Sequence, residues 1–231
     1  GLAPLGIAVD QDDDTVYVTD AFSGLLRIIN GGTFTRDDTM QIGLNLTDSY
    51  GVAVNSADDT VYVANSSSNS VVVFNGANID DTSLVTVDDS PAFIAVNQID
   101  DTIYVTSQSE SRVSFIDAVP GTVYDTAPVG GISLGVAVDD ADDTVYVVND
   151  DSDTLAVING RTGDLVRTVP VAQDAYGVAV HQDSATVFVS SGQSGTLTII
   201  DGHSADDSVA LALGGAPAGV AVDQDDSLVY V

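Results

Sequence analysis

The apolar–acidic–apolar phrase GIAVDQDDDTVYVTD at residues 6–20 returns as GVAVDDADDTVYVVN at 135–149, and variants of it occur six times. The copies begin at Gly6, Gly51, Phe93, Gly135, Gly177 and Gly219, at intervals of 45, 42, 42, 42 and 42 residues. A fixed period of this size limits the chain to repeat architectures, in which each unit buries its apolar surface only by stacking on its neighbours. The sixth copy, GVAVDQDDSLVYV, runs to Val231.

Each unit reads as four strands. The first run, GIAV or GVAV, is short, small and continuously apolar, as suits an inner strand packed on both faces. An acidic turn follows (DQDDDT, NSADDT), and then TVYVTD or TVYVAN, rich in β-branched and aromatic residues. Beyond a Ser- and Asp-rich loop lies a third strand: LLRIIN, VVVFN, RVSFID, LAVIN and LTIID. Asn30-Gly31, Asn75-Gly76, Asn159-Gly160 and Asp201-Gly202 then predict hairpin turns at equivalent places. A weaker fourth strand (TMQIG, SLVTV, DLVRTVPV, SVALALG) completes the unit. Four antiparallel strands in about 42 residues make one propeller blade.

The phrases VYVTD (16–20), VYVAN (61–65), IYVTS (103–107), VYVVN (145–149) and VFVSS (187–191), with the entries PLGIAV, PAFIAV and PAGVAV, resemble the YVTN-type β-propeller repeat. That family is related to the NHL and lactonase-like propellers. The resemblance spans essentially the whole chain and implies an all-β propeller of four-stranded antiparallel blades. It departs from the family where a Pro-Asp-Gly-type turn is usual and this chain has Asp-Asp runs. Five full blades and half of a sixth are expected within 1–231, a single propeller domain, with six or seven blades in the complete ring. The open half-blade further suggests part of a longer chain, or a neighbouring subunit that supplies the absent strands.

Composition excludes several functions. There is no Cys, so neither a disulfide nor a thiolate metal site exists. No run of about 18 apolar residues is present for a membrane-spanning helix. Thirty-five acidic residues face five arginines, giving a net charge of −30 with no Lys and a single Glu, Glu110. Such a surface repels nucleic-acid phosphates and anionic membranes alike. Its acidity serves solubility, or fits a high-salt habitat where self-repulsion is screened.

The family commonly binds ligands at the end of the blades where the inner strand begins. The residues preceding each repeat start are Leu5, Tyr50, Ala92, Leu134, Tyr176 and Ala218. Tyr50 and Tyr176 are candidate aromatic contacts there, alongside Phe22 and Asp20; packing between blades is the competing reading. Asp20, Asn65, Ser107, Asn149 and Ser191 share one repeated position, which favours turn chemistry, because catalytic sites break symmetry. Asp10, Asp12 and Asp14 alternate as carboxylates do in calcium loops, but without the Gly and distal Glu of an EF-hand. They offer at most weak binding of Ca²⁺ or another cation, and no other cofactor is expected. Asn45 (NLT) and Asn65 (NSS) are glycosylation triplets if the protein is secreted. His181 and His203 fall in turns at the opposite end, and neither joins a nucleophile or metal signature.

The reading that follows is a non-enzymatic, secreted or cell-surface scaffold that binds protein or glycan. The alternative is a lactonase- or lyase-like hydrolase with an Asp-lined channel. One consequence of the charge is measurable. The melting midpoint is expected to rise between low salt and about 1 M, where the Debye length is about 3 Å. A flat or falling midpoint would remove the high-salt reading.

Overall fold

The computed structural model describes residues 3–21, 23–41, 49–119, 121–204 and 208–231. Blade 1 comprises β1 (Pro4–Asp10), β2 (Thr15–Asp20), β3 (Leu25–Asn30) and β4 (Thr35–Gln41). Blade 2 has β5 (Ser49–Asn55), β6 (Thr60–Asn65), β7 (Ser70–Asn75) and β8 (Asn78–Thr86). β9 (Pro91–Val96), β10 (Thr102–Ser107), β11 (Arg112–Asp117) and β12 (Thr122–Pro128) form blade 3. Blade 4 contains β13 (Ser133–Asp139), β14 (Thr144–Asn149), β15 (Thr154–Asn159) and β16 (Leu165–Pro170). Blade 5 contains β17 (Ala175–His181), β18 (Thr186–Ser191), β19 (Thr196–Asp201) and β20 (Ser208–Ala212). A last hairpin pairs β21 (Ala221–Asp223) with β22 (Leu228–Tyr230). Every four-stranded sheet pairs in sequence order. The five blades and the half-blade stand where the repeat places them.

The chain divides into two compact units: Gly1–Glu110 with Ser114–Tyr124, and Ser111–Val113 with Asp125–Val231. In the first, Tyr17, Leu26 and Ile28 of blade 1 pack with Val52, Val54, Val61 and Val63 of blade 2. The opposite face of the same second strand, Tyr62 and Ala64, packs with Ile94, Val96, Ile103 and Val105 of blade 3. In the second unit, Tyr146, Val148 and Leu155 of blade 4 pack with Val180, Val187, Val189 and Ile200 of blade 5. Both faces of a central strand are therefore buried. This is why VYV has no polar alternate residue.

The Asp-Asp turns have a conformational cause. Asp14, Asp59, Asp101 and Asp143 all adopt positive φ, between 53° and 60°. Asp tolerates this left-handed region better than most residues. The carbonyls of Asp14, Asp59 and Asp143 then accept the N–H of Gly31, Gly76 and Gly160, at 2.6, 2.7 and 2.7 Å. These glycines were expected to form tight hairpins. At Gly76 a two-residue hairpin forms, Asn75 pairing with Asn78, whereas β3 and β4 are joined by a longer turn over residues 31–34; in each case the glycine also locks the end of the third strand onto the acidic turn. A Cβ on Gly31 would lie 2.7 Å from the Asp14 oxygen, so a side chain is excluded.

Neighbouring inner strands approach closely at another set of glycines. A Cβ on Gly51 would lie 2.7 Å from the Ala92 carbonyl oxygen, and one on Gly135 would lie 2.6 Å from that of Tyr176. The contact atoms are backbone and cannot swing aside. Gly219, at the equivalent position, has nothing within 4 Å. Gly51→Ala and Gly135→Ala are each expected to cost about 1–3 kcal/mol of unfolding free energy through overpacking. Gly219→Ala should stay within about 0.5 kcal/mol. Denaturant melts of the three variants provide the check.

Candidate functional site

Tyr50 and Tyr176, two of the residues proposed to contact a ligand, lie at a repeated irregularity. In each blade the inner strand slips register against the second strand: between Pro4 and Ile7, Ser49 and Val52, Ser133 and Val136, and Ala175 and Val178. Blade 3 slips between Val105 and Ser107. Two inner-strand residues face one, which is a β-bulge. Leu5-Gly6, Tyr50-Gly51, Ala92-Phe93, Leu134-Gly135 and Tyr176-Gly177 are the bulged pairs. A bulge frees an N–H from the ladder, and in blades 1, 3 and 5 a hydroxyl opposite recaptures it. Thr19 Oγ1 accepts from Gly6 N at 2.8 Å, Thr106 Oγ1 from Phe93 N at 3.0 Å, and Ser190 Oγ from Gly177 N at 3.1 Å. Ser190 Oγ also donates to the Ala218 carbonyl of the following unit.

One residue further on, the second strand ends in the repeated polar position. Asn149 Nδ2 donates to the Val129 carbonyl at 2.7 Å, Ser107 Oγ to that of Asp89 at 2.5 Å, and Ser191 Oγ to that of Ala172 at 3.1 Å. Each acceptor belongs to the connection arriving from the preceding blade. This position therefore fastens the entry segment beneath the bulge, a longer reach than the local turn bonding expected of it.

Tyr176 is half-buried, and burial raises its phenol pKa. Tyr50 occupies the equivalent bulge in the backbone of β5. Leu5 is exposed, whereas Ala92 and Leu134 are buried, so the bulges differ in what they present. Asp20 lies beneath the surface at 1 % exposure, its Oδ2 3.5 Å from the Arg27 guanidinium and its Oδ1 accepting Ser23 N at 3.4 Å. It supports the rim and is not presented on it. Phe22 and Asn45 lie outside the described residues. Asn65 is only 3 % exposed, which leaves its amide inaccessible in the folded chain.

At the other end of the blades, the alternating trio Asp10, Asp12 and Asp14 does not converge. Asp10 Oδ1 accepts Asp12 N at 3.2 Å, closing a local turn that keeps the Asp12 carboxylate apart. The described residues instead gather Asp10, Asp13 and Asp59, with carboxylate oxygens all within 4.8 Å of one another. Asp59 comes from the next blade, at a sequence distance no spacing rule covers. Burial, reinforced by Asp13 and Asp10, raises the pKa of Asp59.

The same end carries a set of clamps that the sequence reading missed. Gln98 accepts Ser56 N at 3.1 Å through Oε1 and donates through Nε2 to the Val54 carbonyl at 2.9 Å. Gln182 bridges Asp140 N and Val138 O in the same way, both at 2.9 Å. Gln224 repeats the pattern on Gln182 N and Val180 O, at 2.9 and 3.0 Å. The recurring Gln of DQDD, NQID and HQDS was its only trace in the sequence.

Among solved structures, the chain is similar to Kuenenia stuttgartiensis hydrazine synthase, with a TM-score of 0.85 and 16% sequence identity over 99% of this chain and 73% of that one. The fold is a β-propeller. At this identity the likeness extends to the fold and not to the activity. No protein-family model and no curated protein sequence matches the chain.

The tyrosines between propeller blades make stability sensitive to alkali. Burial, then Asp10 and Asp59, push Tyr17 up to about 12. Burial and Asp139 push Tyr146 up to about 12, against the opposing effect of Arg167. An unfolded tyrosine ionises near 10. The folded state therefore holds these protons more tightly, and their stabilising contribution is intact below about pH 10 and lost as pH rises towards 12. Denaturant midpoints are expected to fall across that window. Tyr17→Phe and Tyr146→Phe should each flatten the fall.

Proposed function

We propose that this chain is a YVTN-type propeller serving as a non-enzymatic interaction scaffold, secreted or at a cell surface, that binds a protein or a glycan. The observation that carries the reading is the bulged rim. Its frame is repeated and tied by hydroxyl, amide and backbone bonds, while what it presents varies: Leu5 is exposed, Tyr176 half-buried, and Ala92 and Leu134 buried. A fixed frame with variable presented groups is the arrangement of a recognition surface, where rigidity lowers the ordering cost of binding. Tyr176 and Tyr50 supply the groups best suited to contact, because aromatic residues dominate interface energetics. Asp20 contributes by holding Arg27 and the adjoining turn in place.

No helix among the described residues is long and apolar enough to cross a membrane. The net charge of −30 favours partners with basic or neutral polar surfaces.

Binding of the purified chain to arrayed glycans and to basic extracellular proteins tests the proposal. Tyr176→Ala and Tyr50→Ala are each expected to weaken the strongest interaction about tenfold or more, with melting temperature nearly unchanged. If both variants bind normally, the rim is not the working surface. If both unfold, the tyrosines belong to the packing between blades.

A further inference from the structure

In the acidic turns, the first residue of one blade's turn meets the left-handed residue of the next blade's turn. Two of these junctions show how the encounter is satisfied. Asn55 Nδ2 donates to Asp101 Oδ1 at 2.7 Å, and His181 Nε2 lies 3.0 Å from Ser227 Oγ. In blade 5 the left-handed position is Ala185, whose side chain has no polar atom. The junction of blades 1 and 2 differs: Asp10 faces Asp59, and Asp13 brings a third carboxylate.

The Asp10 side chain is only 1 % exposed. Its Oδ1 is used by Asp12 N, and its Oδ2 is buried without a hydrogen-bond partner among the described residues. An isolated buried carboxylate oxygen is costly unless a donor or a cation meets it. At the Asn55–Asp101 junction an amide meets the need. Here the two groups gathered against it, Asp59 and Asp13, are carboxylates as well.

We propose that Asp10, Asp13 and Asp59 hold a divalent cation, of calcium's size and hardness, that ties the turn of blade 1 to that of blade 2. All three donors are carboxylate oxygens, which select hard cations. Calcium–oxygen distances are about 2.3–2.6 Å, so ligands on opposite sides of the ion stand about 4.6–5.2 Å apart. The three carboxylate oxygens lie within 4.8 Å of one another, close enough for one ion to reach all of them. Magnesium needs a tighter octahedron, with oxygens about 2.0–2.1 Å from the ion. Asp13 is exposed and Asp59 half-buried, so water can reach the ion and complete its shell. Three protein carboxylates on one open side suit the modest affinity of extracellular calcium modules, with Kd about 10⁻⁴–10⁻³ M. The proposal does not depend on the function assigned to the rim.

Calorimetric titration and thermal melts of the chelator-stripped full chain, at constant ionic strength, decide the matter. CaCl₂ is expected to bind saturably and raise the melting midpoint by a few degrees, with MgCl₂ less effective. Asp59→Asn should lose at least tenfold in calcium affinity. In chelator it should melt above the unsubstituted protein, because its amide supplies the donor that Asn55 gives Asp101. Asp13→Asn, at an exposed position, should fold normally and bind calcium several-fold more weakly. Asp183→Asn, in the acidic turn of blade 5, should keep the full response. The proposal is overturned if calcium gives no saturable response, or if Asp59→Asn and Asp13→Asn respond as the unsubstituted protein does. It is equally overturned if the midpoint of the metal-free protein rises only on acidification, which would mean that a shared proton fills the cluster.

Discussion

Backbone against backbone, with no side chain between, is the contact on which the blade packing rests. Gly51 meets Ala92 and Phe93, and Gly135 meets Tyr176, at separations where even a methyl group has no room. At such a distance the two inner strands cannot both continue as regular ladders. Each accommodates the other through a bulge, and each bulge frees an N–H that must find a new acceptor. The hydroxyls of Thr19, Thr106 and Ser190 follow from that need. The polar residue that ends each second strand then secures the chain entering the bulge. Opposite the bulges at Gly51 and Gly135 stand Ala64 and Val148, which carry no hydroxyl.

Away from this point of approach, neighbouring blades are joined by apolar surface. Alternate residues of each second strand serve opposite neighbours, Val61 and Val63 one side and Tyr62 the other. The tyrosine hydroxyl is placed by the same logic. A Cβ on Gly76 would collide with the Tyr17 hydroxyl, and one on Gly202 with that of Tyr146. The glycine that locks one blade's turns therefore also makes room for the ring arriving from the blade before it.

The architecture was legible because its signals are local and recur six times. Strand order, blade number and burial on both faces follow from the period and from VYV alone. The bulges were half visible: the Gly after Tyr50 or Tyr176 could be seen, but its cause lies in the next blade. Asp20 is not presented on the rim, because its position in the repeat is buried in every blade, as Asn65, Ser107, Asn149 and Ser191 also are. The acidic turn misled in a similar way. Alternating Asp10, Asp12 and Asp14 imitate a calcium loop in one dimension, whereas folding discards two of them and recruits Asp13 and Asp59. Asp10 and Asp59 lie 49 positions apart, and only the registry between blades brings them together.

The glutamine clamps illustrate how unequal the two sides of such a joint are. Gln98, Gln182 and Gln224 each present an amide that imitates a peptide group, yet what they grip is an N–H and a C=O that every residue but proline possesses. The gripped position is Ser56 in one blade, Asp140 in another and Gln182 in a third, and all three serve equally. Sequence drift on the receiving side is therefore free, and only the giving side is held to one residue type. A repeat copied whole into the array would find a valid seat on whatever blade preceded it, so an array of this kind can lengthen without any prior matching of its parts.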